Sequence, residues 1–401
     1  MEDNKKLPTL KFKKEIYNWN SCSLKDICTI VKGQQLGKKE MLAEGKYYVL
    51  NGGINPSGFT DSFNTKENTI SISEGGNSCG YVNLNTEKFW SGGHNYTLQD
   101  LKLDTVYLYQ FLKYKEPQIM GLRVGSGLPN IQKSKLSKIN VSYPNKSEQL
   151  CIGSLMSNID NVINNQKNKL EKICNIRQSL INKFFIKNIE EDPKIKFTNK
   201  SIKWKNYSLS KIANMHARIG WQNLRTSEFL NDGKYLLITG TDFENGRVNY
   251  STCHYVEKTR YEQDKNIQVK NGSILVTKDG TLGKVALVSK LTKPATLNAG
   301  VFNITINNEN EVDVNYLYQY LKAPLLMNYV KKKATGGTIK HLNQSILVDF
   351  PVNLPDINEQ QKIGDFLNNI DNLIILYQEK INKLLLLKKA VAEKIFMWKE
   401  F

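Results

Sequence analysis

The sequence predicts a mixed α/β fold: two globular domains joined by a long antiparallel two-helix coiled coil, arranged as a pseudo-two-fold internal repeat. Three observations predict it. Landmarks recur in one order along the chain, short β-rich runs are punctuated by glycine and asparagine, and two capped amphipathic segments run for about 40 residues each. At 401 residues the chain is too long for one ordinary core, so several domains are expected.

The repeat comes first. Pro8-Thr9-Leu10-Lys11-Phe12 returns as Pro193-Lys194-Ile195-Lys196-Phe197, and Trp19 returns as Trp204. Ser23-Leu24 and Ile27 return as Ser208-Leu209 and Ile212. Further on, Tyr107-Leu108-Tyr109-Gln110 matches Tyr316-Leu317-Tyr318-Gln319, and Asn158-Ile159-Asp160-Asn161 matches Asn369-Ile370-Asp371-Asn372. The spacing between partners grows from 185 to 211 residues, so the second copy carries insertions while the order is kept. The division that follows is 1–144 and 188–354 for the globular domains, with 145–187 and 355–401 for the helices.

Within each copy the first part is strand-rich. Tyr47–Leu50 and Thr69–Ile72 in copy one, and Tyr235–Ile238 and Ser273–Val276 in copy two, are β-branched or aromatic runs bounded by turn residues. Short helices follow around Val106–Tyr114 and Asn315–Leu321. The second part is different. Asn145 with Glu148, and Asp356 with Glu359, each follow a proline and read as capping-box starts. Behind them the apolar positions Ile152, Leu155, Ile159, Val162, Leu170, Ile173, Leu180 and Phe184 fall at three-and-four spacing. In copy two these are Ile363, Phe366, Ile370, Leu373, Tyr377, Ile381, Leu384, Val391 and Ile395. Such a helix is ~60 Å long and cannot bury its stripe alone; two of them, antiparallel, can.

Lys and Arg number 56 against 38 Asp and Glu, a net charge of +18, which points to a polyanionic partner. A lysine-rich proteome encoded by an AT-rich genome would also produce such a balance. The six cysteines have no CxxC spacing and only four histidines accompany them, so no zinc cluster is assembled. Cys151 and Cys174 fall in the helices and are expected to be buried thiols. A cytoplasmic protein is expected, because no signal peptide and no long apolar run is read.

Catalytic signatures are missing. Gly37-Lys38 and Gly283-Lys284 lack the remainder of a phosphate loop, Gly125–Asn130 lacks the last glycine of a dinucleotide fingerprint, and no Asp-Pro-Pro-Tyr or Asn-Pro-Pro-Tyr segment occurs. Asp160 and Asp371 sit at one repeated helix position, where fixing register or binding a partner is expected rather than acid–base chemistry.

The glycine-rich loops are the more informative feature. Thr277-Lys278-Asp279-Gly280-Thr281-Leu282-Gly283-Lys284 follows a strand, and Ser73-Glu74-Gly75-Gly76-Asn77-Ser78-Cys79-Gly80 occupies the equivalent place. Gly125-Ser126-Gly127 and Thr335-Gly336-Gly337-Thr338 correspond in the same way. Glycine lets a backbone approach phosphates, and polar neighbours can hydrogen-bond base edges. The candidate DNA-contacting residues are Lys32, Gln34, Asn77, Ser78, His94, Arg123 and Ser126 in copy one. In copy two they are Arg218, Gln222, Arg225, Lys278, Asp279, Thr281, Lys333, Thr338 and Lys340. Ile159, Asp160, Ile370 and Asp371 are the candidate helix-seam and partner-binding positions. An ordinary hairpin turn explains any single one of these loops equally well.

Over nearly its whole length the chain resembles the specificity subunit of type I restriction–modification systems. The resemblance rests on the doubled Pro-x-[Leu/Ile]-Lys-Phe opening with its Trp, on the Thr277–Lys284 strand–turn, and on the doubled linker. The linker reads Pro144, Glu148-Gln149, Ile159-Asp160 and again Pro355, Glu359-Gln360, Ile370-Asp371. Ser73-Glu74-Gly75-Gly76 departs from it, with a carboxylate where copy two has Lys278. The resemblance implies two target recognition domains, each reading half of an interrupted site in double-stranded DNA, with the helices as spacer. It further implies that two methyltransferase subunits dock on the helices for adenine methylation, and that restriction (motor–nuclease) subunits can join. S-adenosylmethionine, ATP and Mg would then belong to those partners, with no cofactor in this chain. A free methyltransferase or nuclease, and a stand-alone nucleic-acid-binding scaffold, are the alternative classes.

Overall fold

The computed structural model describes residues 19–125, 127, 129–186, 193–198, 203–333 and 341–396. The Pro8–Phe12 opening, Ser126, Thr338 and Lys340 lie outside the described residues. The chain divides into two units, Met1–Lys167 with Lys380–Phe401, and Asn168–Glu379.

The first unit runs β1 (Asn20–Ser23), α1 (Leu24–Ile27), β2 (Thr29–Lys32), β3 (Tyr47–Leu50), β4 (Gly58–Thr60), β5 (Thr69–Ser73), β6 (Val82–Asn85), β7 (Trp90–Ser91) and β8 (Asn95–Gln99). Then come α2 (Thr105–Tyr114), α3 (Glu116–Met120), α4 (Lys133–Leu136), β9 (Asn140–Tyr143) and the start of α5 (Lys146–Phe184). An antiparallel sheet of order β2-β8-β5-β6 puts Ile30 opposite Leu98, Leu98 opposite Ile70 and Ile70 opposite Leu84. That row faces Tyr107, Leu108, Phe111 and Leu112 of α2 in one core. Because side chains alternate along a strand, Ser71 and Ser73 of β5 point the other way. They are buried too, so β5 is covered on both faces. A smaller sheet, β4-β3-β7, completes the lobe.

The second unit opens with β10 (Lys205–Ser208), α6 (Leu209–Ile212), β11 (Ala213–Ala217), β12 (Tyr235–Ile238), β13 (Phe243–Glu244), β14 (Arg247–Val248), β15 (His254–Val256) and α7 (Lys258–Glu262). It continues with β16 (Gln268–Val269), β17 (Ile274–Thr277), β18 (Val285–Leu287), β19 (Ala295–Leu297), β20 (Val301–Ile306), α8 (Val314–Lys322), α9 (Pro324–Lys333), α10 (Gln344–Val348), β21 (Pro351–Leu354) and α11 (Ile357–Phe396). Its larger sheets are β11-β20-β17-β18-β14-β13 and β15-β12-β19-β16, and β10 pairs with β21. The expected strands and short helices thus form in both lobes.

Each long helix begins in one unit and ends in the core of the other. Asn145 and Asp356 cap them, accepting from the Glu148 and Glu359 N–H groups at 2.9 and 3.0 Å. The Glu359 carboxylate does not return to its cap; it accepts the Phe197 N–H at 2.6 Å. In the first unit Lys388 meets Asp160 at 2.6 Å, and Ile395 and Phe396 join the core. In the second, Arg177 meets Asp371 at 2.5 Å and Phe184 packs on Phe366, so the numbering of the two helices runs in opposite senses.

The buried stripe differs from the expected one. Val162, Phe366 and Leu373 are substantially exposed, whereas Met156, Ile163, Leu367 and Asp371 are buried. A seven-residue seam assumes that only the other helix is faced. Each helix start also packs on its own lobe, so the ordinary 3.6-residue period sets the buried face. Cys151 is half-buried and Cys174 is exposed, which corrects the expectation of two buried thiols: Cys174 lies on the helix face that neither neighbour covers.

Candidate nucleic-acid interface

In the first unit the loops at the ends of β2, β3, β5 and β7 converge. Gln34 N–H donates to Ser91 O at 2.8 Å, His94 N–H to Asn51 Oδ1 at 3.1 Å, and the hydroxyls of Ser73 and Ser78 both donate to Gly52 O, at 2.5 and 2.7 Å. The loop after β5 joins the 124–130 loop through Gly76 N–H to Pro129 O at 3.1 Å. Gly76 takes φ +75°, a conformation that glycine alone adopts without cost, and it leaves Asn77 at the exposed tip. Lys32, Gln34, Asn77, Ser78 and His94 are thus brought to one end of the lobe. Arg123, also exposed, flanks the same loops next to Val124, which bonds Asn130.

Glu74 organises this end. Its Oε1 accepts from Lys32 Nζ at 2.7 Å and from Tyr96 Oη at 2.9 Å, and its Oε2 lies 3.6 Å from His94 Nδ1. Burial and the Glu74 hydrogen bond push the Tyr96 hydroxyl up to about 12, so it stays protonated and donating. The basic group that the loop sequence lacks is therefore supplied by Lys32 from β2.

In the second unit Thr277 Oγ1 donates to Thr281 O at 2.5 Å and accepts from Lys284 N–H at 2.9 Å, closing the turn around Gly280 at φ +68°. Thr281 is exposed at this tip. Asp279 pairs with His341 at 2.5 Å, and Lys278 Nζ stands 5.8 Å from the centre of the Phe302 ring. Arg225 is exposed, and Lys333 is exposed at the end of α9 beside Tyr329.

Two residues are placed otherwise than a phosphate contact requires. Arg218 is 1% exposed, and its guanidinium donates to Leu297 O at 2.9 Å and to Thr296 Oγ1 and Gln263 Oε1 at 3.3 Å. Burial pulls its pKa below the usual value. It pins a loop rather than presenting charge. Gln222 beside it is also buried, with its backbone oxygen 3.5 Å from the Arg218 guanidinium.

The helix positions face inward. Asp160 accepts from Gln110 Nε2 at 2.8 Å and from Lys388. Asp371 accepts from Gln319 Nε2 and Lys322 Nζ, both at 2.7 Å, and from Arg177. Burial alone would raise the Asp371 pKa, but Lys322 and Arg177 reverse this and hold it below the ordinary carboxylate value. Ile159 packs on the first core, and Ile370 is half-buried. Gln149 and Gln360, which sequence reasoning left without a role, staple each helix to its lobe. Their Oε1 atoms accept the N–H groups of Asp104 and Asp313 at 2.9 and 3.0 Å, while their Nε2 atoms donate to Pro144 O and Pro355 O, both at 2.9 Å. Their identical spacing behind a proline was the available signal.

Among the described residues no three His, Cys, Asp or Glu side chains are grouped as a metal site, and no helix is long and apolar enough to cross a membrane. Burial pushes the Cys28 and Cys253 thiols up to about 12, far from nucleophilic use at neutral pH.

The sequence matches the family described as "Type I restriction modification DNA specificity domain" twice, over residues 17–175 and 201–386. The chain belongs to this family: it is a non-catalytic, sequence-specific DNA-binding specificity subunit of a type I restriction–modification complex. A Mycoplasma genitalium protein named as a type I specificity subunit is 27% identical over 396 residues, covering 97% of this chain and 96% of that protein. The Type I restriction enzyme MjaVIII specificity subunit of Methanocaldococcus jannaschii is 22% identical over 302 residues, 74% of this chain and 70% of its own length. The crystal structure of the type I restriction–modification S subunit from M. genitalium superposes with a TM-score of 0.71 at 25% identity, covering 97% and 99% of the two chains.

Proposed function

We propose that the two lobes, residues 1–144 and 188–354, are target recognition domains that each read one half of a bipartite site in double-stranded DNA. The helices 145–187 and 355–401 form an antiparallel coiled coil that spaces them in a pseudo-two-fold repeat. One observation carries the reading: both lobes hold a glycine-turned loop after their central strand by the same backbone bonds, while the side chains at the tips differ. A shared frame with different tips is what two readers of different half-sites need. In the first lobe the tip residues are Asn77 and Ser78, with Lys32, Gln34, His94 and Arg123 around them, and Ser126 is a further candidate contact. In the second they are Lys278, Asp279 and Thr281, with Arg225, Lys333, Thr338 and Lys340 as phosphate contacts.

The helices also carry apolar side chains that neither lobe covers. Val162 and Leu387 are 44% and 51% exposed in the first unit, and Ile176, Leu373 and Leu376 are 55%, 41% and 61% exposed in the second. Such surface favours a protein partner. Two methyltransferase subunits, and restriction subunits with them, are its natural occupants; S-adenosylmethionine, ATP and Mg enter with those partners.

The test is the methylated motif of a complex assembled with wild-type or altered chain. Replacing Lys278, Asp279 and Thr281 together is expected to change only one half of a bipartite motif. A change in both halves, or in neither, overturns the modular reading.

A further inference from the structure

The residue that follows the central strand is held alike in the two lobes but carries opposite charge. Glu74 N–H donates to His94 O at 2.9 Å, and Glu74 O accepts from Ile131 N–H at 2.8 Å. Lys278 N–H donates to Gly300 O at 2.9 Å, and Lys278 O accepts from Leu342 N–H at 2.9 Å. The preceding residues match as well: Ser73 O accepts from Gly80 N–H at 2.8 Å, and Thr277 O accepts from Gly283 N–H at 2.9 Å. One backbone frame therefore presents a hydrogen-bond acceptor in the first lobe and a donor in the second.

A carboxylate beside DNA is repelled by phosphates unless it is neutralised. Here Lys32 Nζ lies at 2.7 Å and His94 Nδ1 at 3.6 Å. With Tyr96, Lys32 also fixes Oε1, so the group is oriented before any ligand arrives. The Glu74 side chain is 13% exposed, and Oε2 has His94 nearby at a distance outside hydrogen-bond range. In the major groove a carboxylate accepts from exocyclic amino groups, whereas lysine donates to guanine O6 and N7.

We propose that Glu74 is a specificity-determining residue of the first lobe, whose Oε2 accepts the exocyclic amino group of a cytosine or adenine in the first half-site. Lys278, in the same frame, donates to a guanine edge in the second. This rests on the reading of the loops as DNA-facing given above. Glu74 selects and Lys32 with Tyr96 position it.

The experiment uses the full chain assembled with methyltransferase subunits and maps the methylated motif base by base. Wild type is expected to show adenine or cytosine at one first-half position, the base itself deciding between the two. Glu74→Gln keeps an acceptor for Lys32 and Tyr96, so the loop holds. Its amide adds a donor, and discrimination at that one position is expected to fall about ten- to a hundredfold, the worth of one good base contact. Glu74→Lys is expected to move the same position to guanine and leave the second half unchanged. Asn77→Ala and Thr281→Ala serve as controls for the loops. If these alter their half-sites while Glu74→Gln leaves every position unchanged, the Glu74 assignment is wrong and the loop reading stands. If no loop variant alters either half, both fail together. A change spread over both halves upon Glu74→Gln also overturns the proposal.

Discussion

Replacing Asp371 by Asn is expected to cost the second unit far more than Asp160→Asn costs the first. Asp371 is 7% exposed, and its carboxylate is the counter-charge for two cations whose side chains are themselves only 14% (Arg177) and 23% (Lys322) exposed. Removing the anion leaves both cations desolvated and unpaired, a loss of about 3–5 kcal/mol. For a unit of this size that lowers the melting temperature by roughly 6–20 °C. Asp160 has one cation, Lys388, 20% exposed, and its own side chain is 27% exposed against 9% for Asp371, so a single cation is stranded beside a wetter site and about 1–2 kcal/mol is expected. The assay is urea unfolding of both variants followed by a probe in each unit. A triple replacement, Asp371→Leu with Arg177→Met and Lys322→Met, is expected to recover most of the loss, because no charge is then left stranded. The pH dependence has a definite sign. Since the folded pKa of Asp371 is depressed, its contribution is complete above the ordinary carboxylate pKa of about 4 and is lost as pH falls through the lower folded value. The gap between wild type and Asp371→Asn should therefore be constant near neutrality and close in acid. Equal losses from the two Asp→Asn variants, or a gap that widens in acid, would refute the reasoning.

Two further outcomes follow from packing. A Cβ on Gly364 would stand 2.6 Å from Tyr316 N, against 3.2 Å from Tyr107 N for Gly153; Gly364→Ala should destabilise by about 1–3 kcal/mol, while Gly153→Ala stays near neutral in the same unfolding assay. Arg218→Met should lower the melting temperature yet leave the salt slope of DNA binding unchanged, because a buried guanidinium releases no counterions; a shallower slope with unchanged stability would return Arg218 to the phosphate contacts.

Much of the architecture was legible because it depends on local, periodic signals. The capping pairs Asn145–Glu148 and Asp356–Glu359 announced both helix starts, and the β-rich run Thr69–Ile72 announced a strand. What was not legible is which face a long helix turns inward when it has two neighbours. Val162 and Leu373 look like seam residues until α2 and α8 are in place, and the register-fixing role expected of Asp371 has no visible partner until Arg177, from 194 residues earlier, arrives beside it. For the candidate interface, glycines at Gly76 and Gly280 marked the turns. No local pattern links Lys32 to Glu74, 42 residues apart, or says that Arg218 is enclosed.

The bonds that hold the loops explain how tip chemistry can change sign without loss of the fold. At Glu74 and Lys278 the anchoring bonds that the two lobes share belong to the backbone, and a backbone bond is indifferent to the side chain it carries. The opposite holds at the helix junctions. There the anchors are the side chains of Asn145, Gln149 and Asp160, and of Asp356, Gln360 and Asp371, and each is directional. A glutamine that both accepts from an N–H and donates to a carbonyl fixes the direction in which its helix leaves the lobe. An apolar contact would leave that direction free. Side chains are therefore constrained at the junctions, where geometry has to be kept, and released at the loop tips, which are the proposed readers of sequence. Substitutions at loop tips should accordingly change which base is preferred with little change in stability, and substitutions at the junction glutamines should do the reverse.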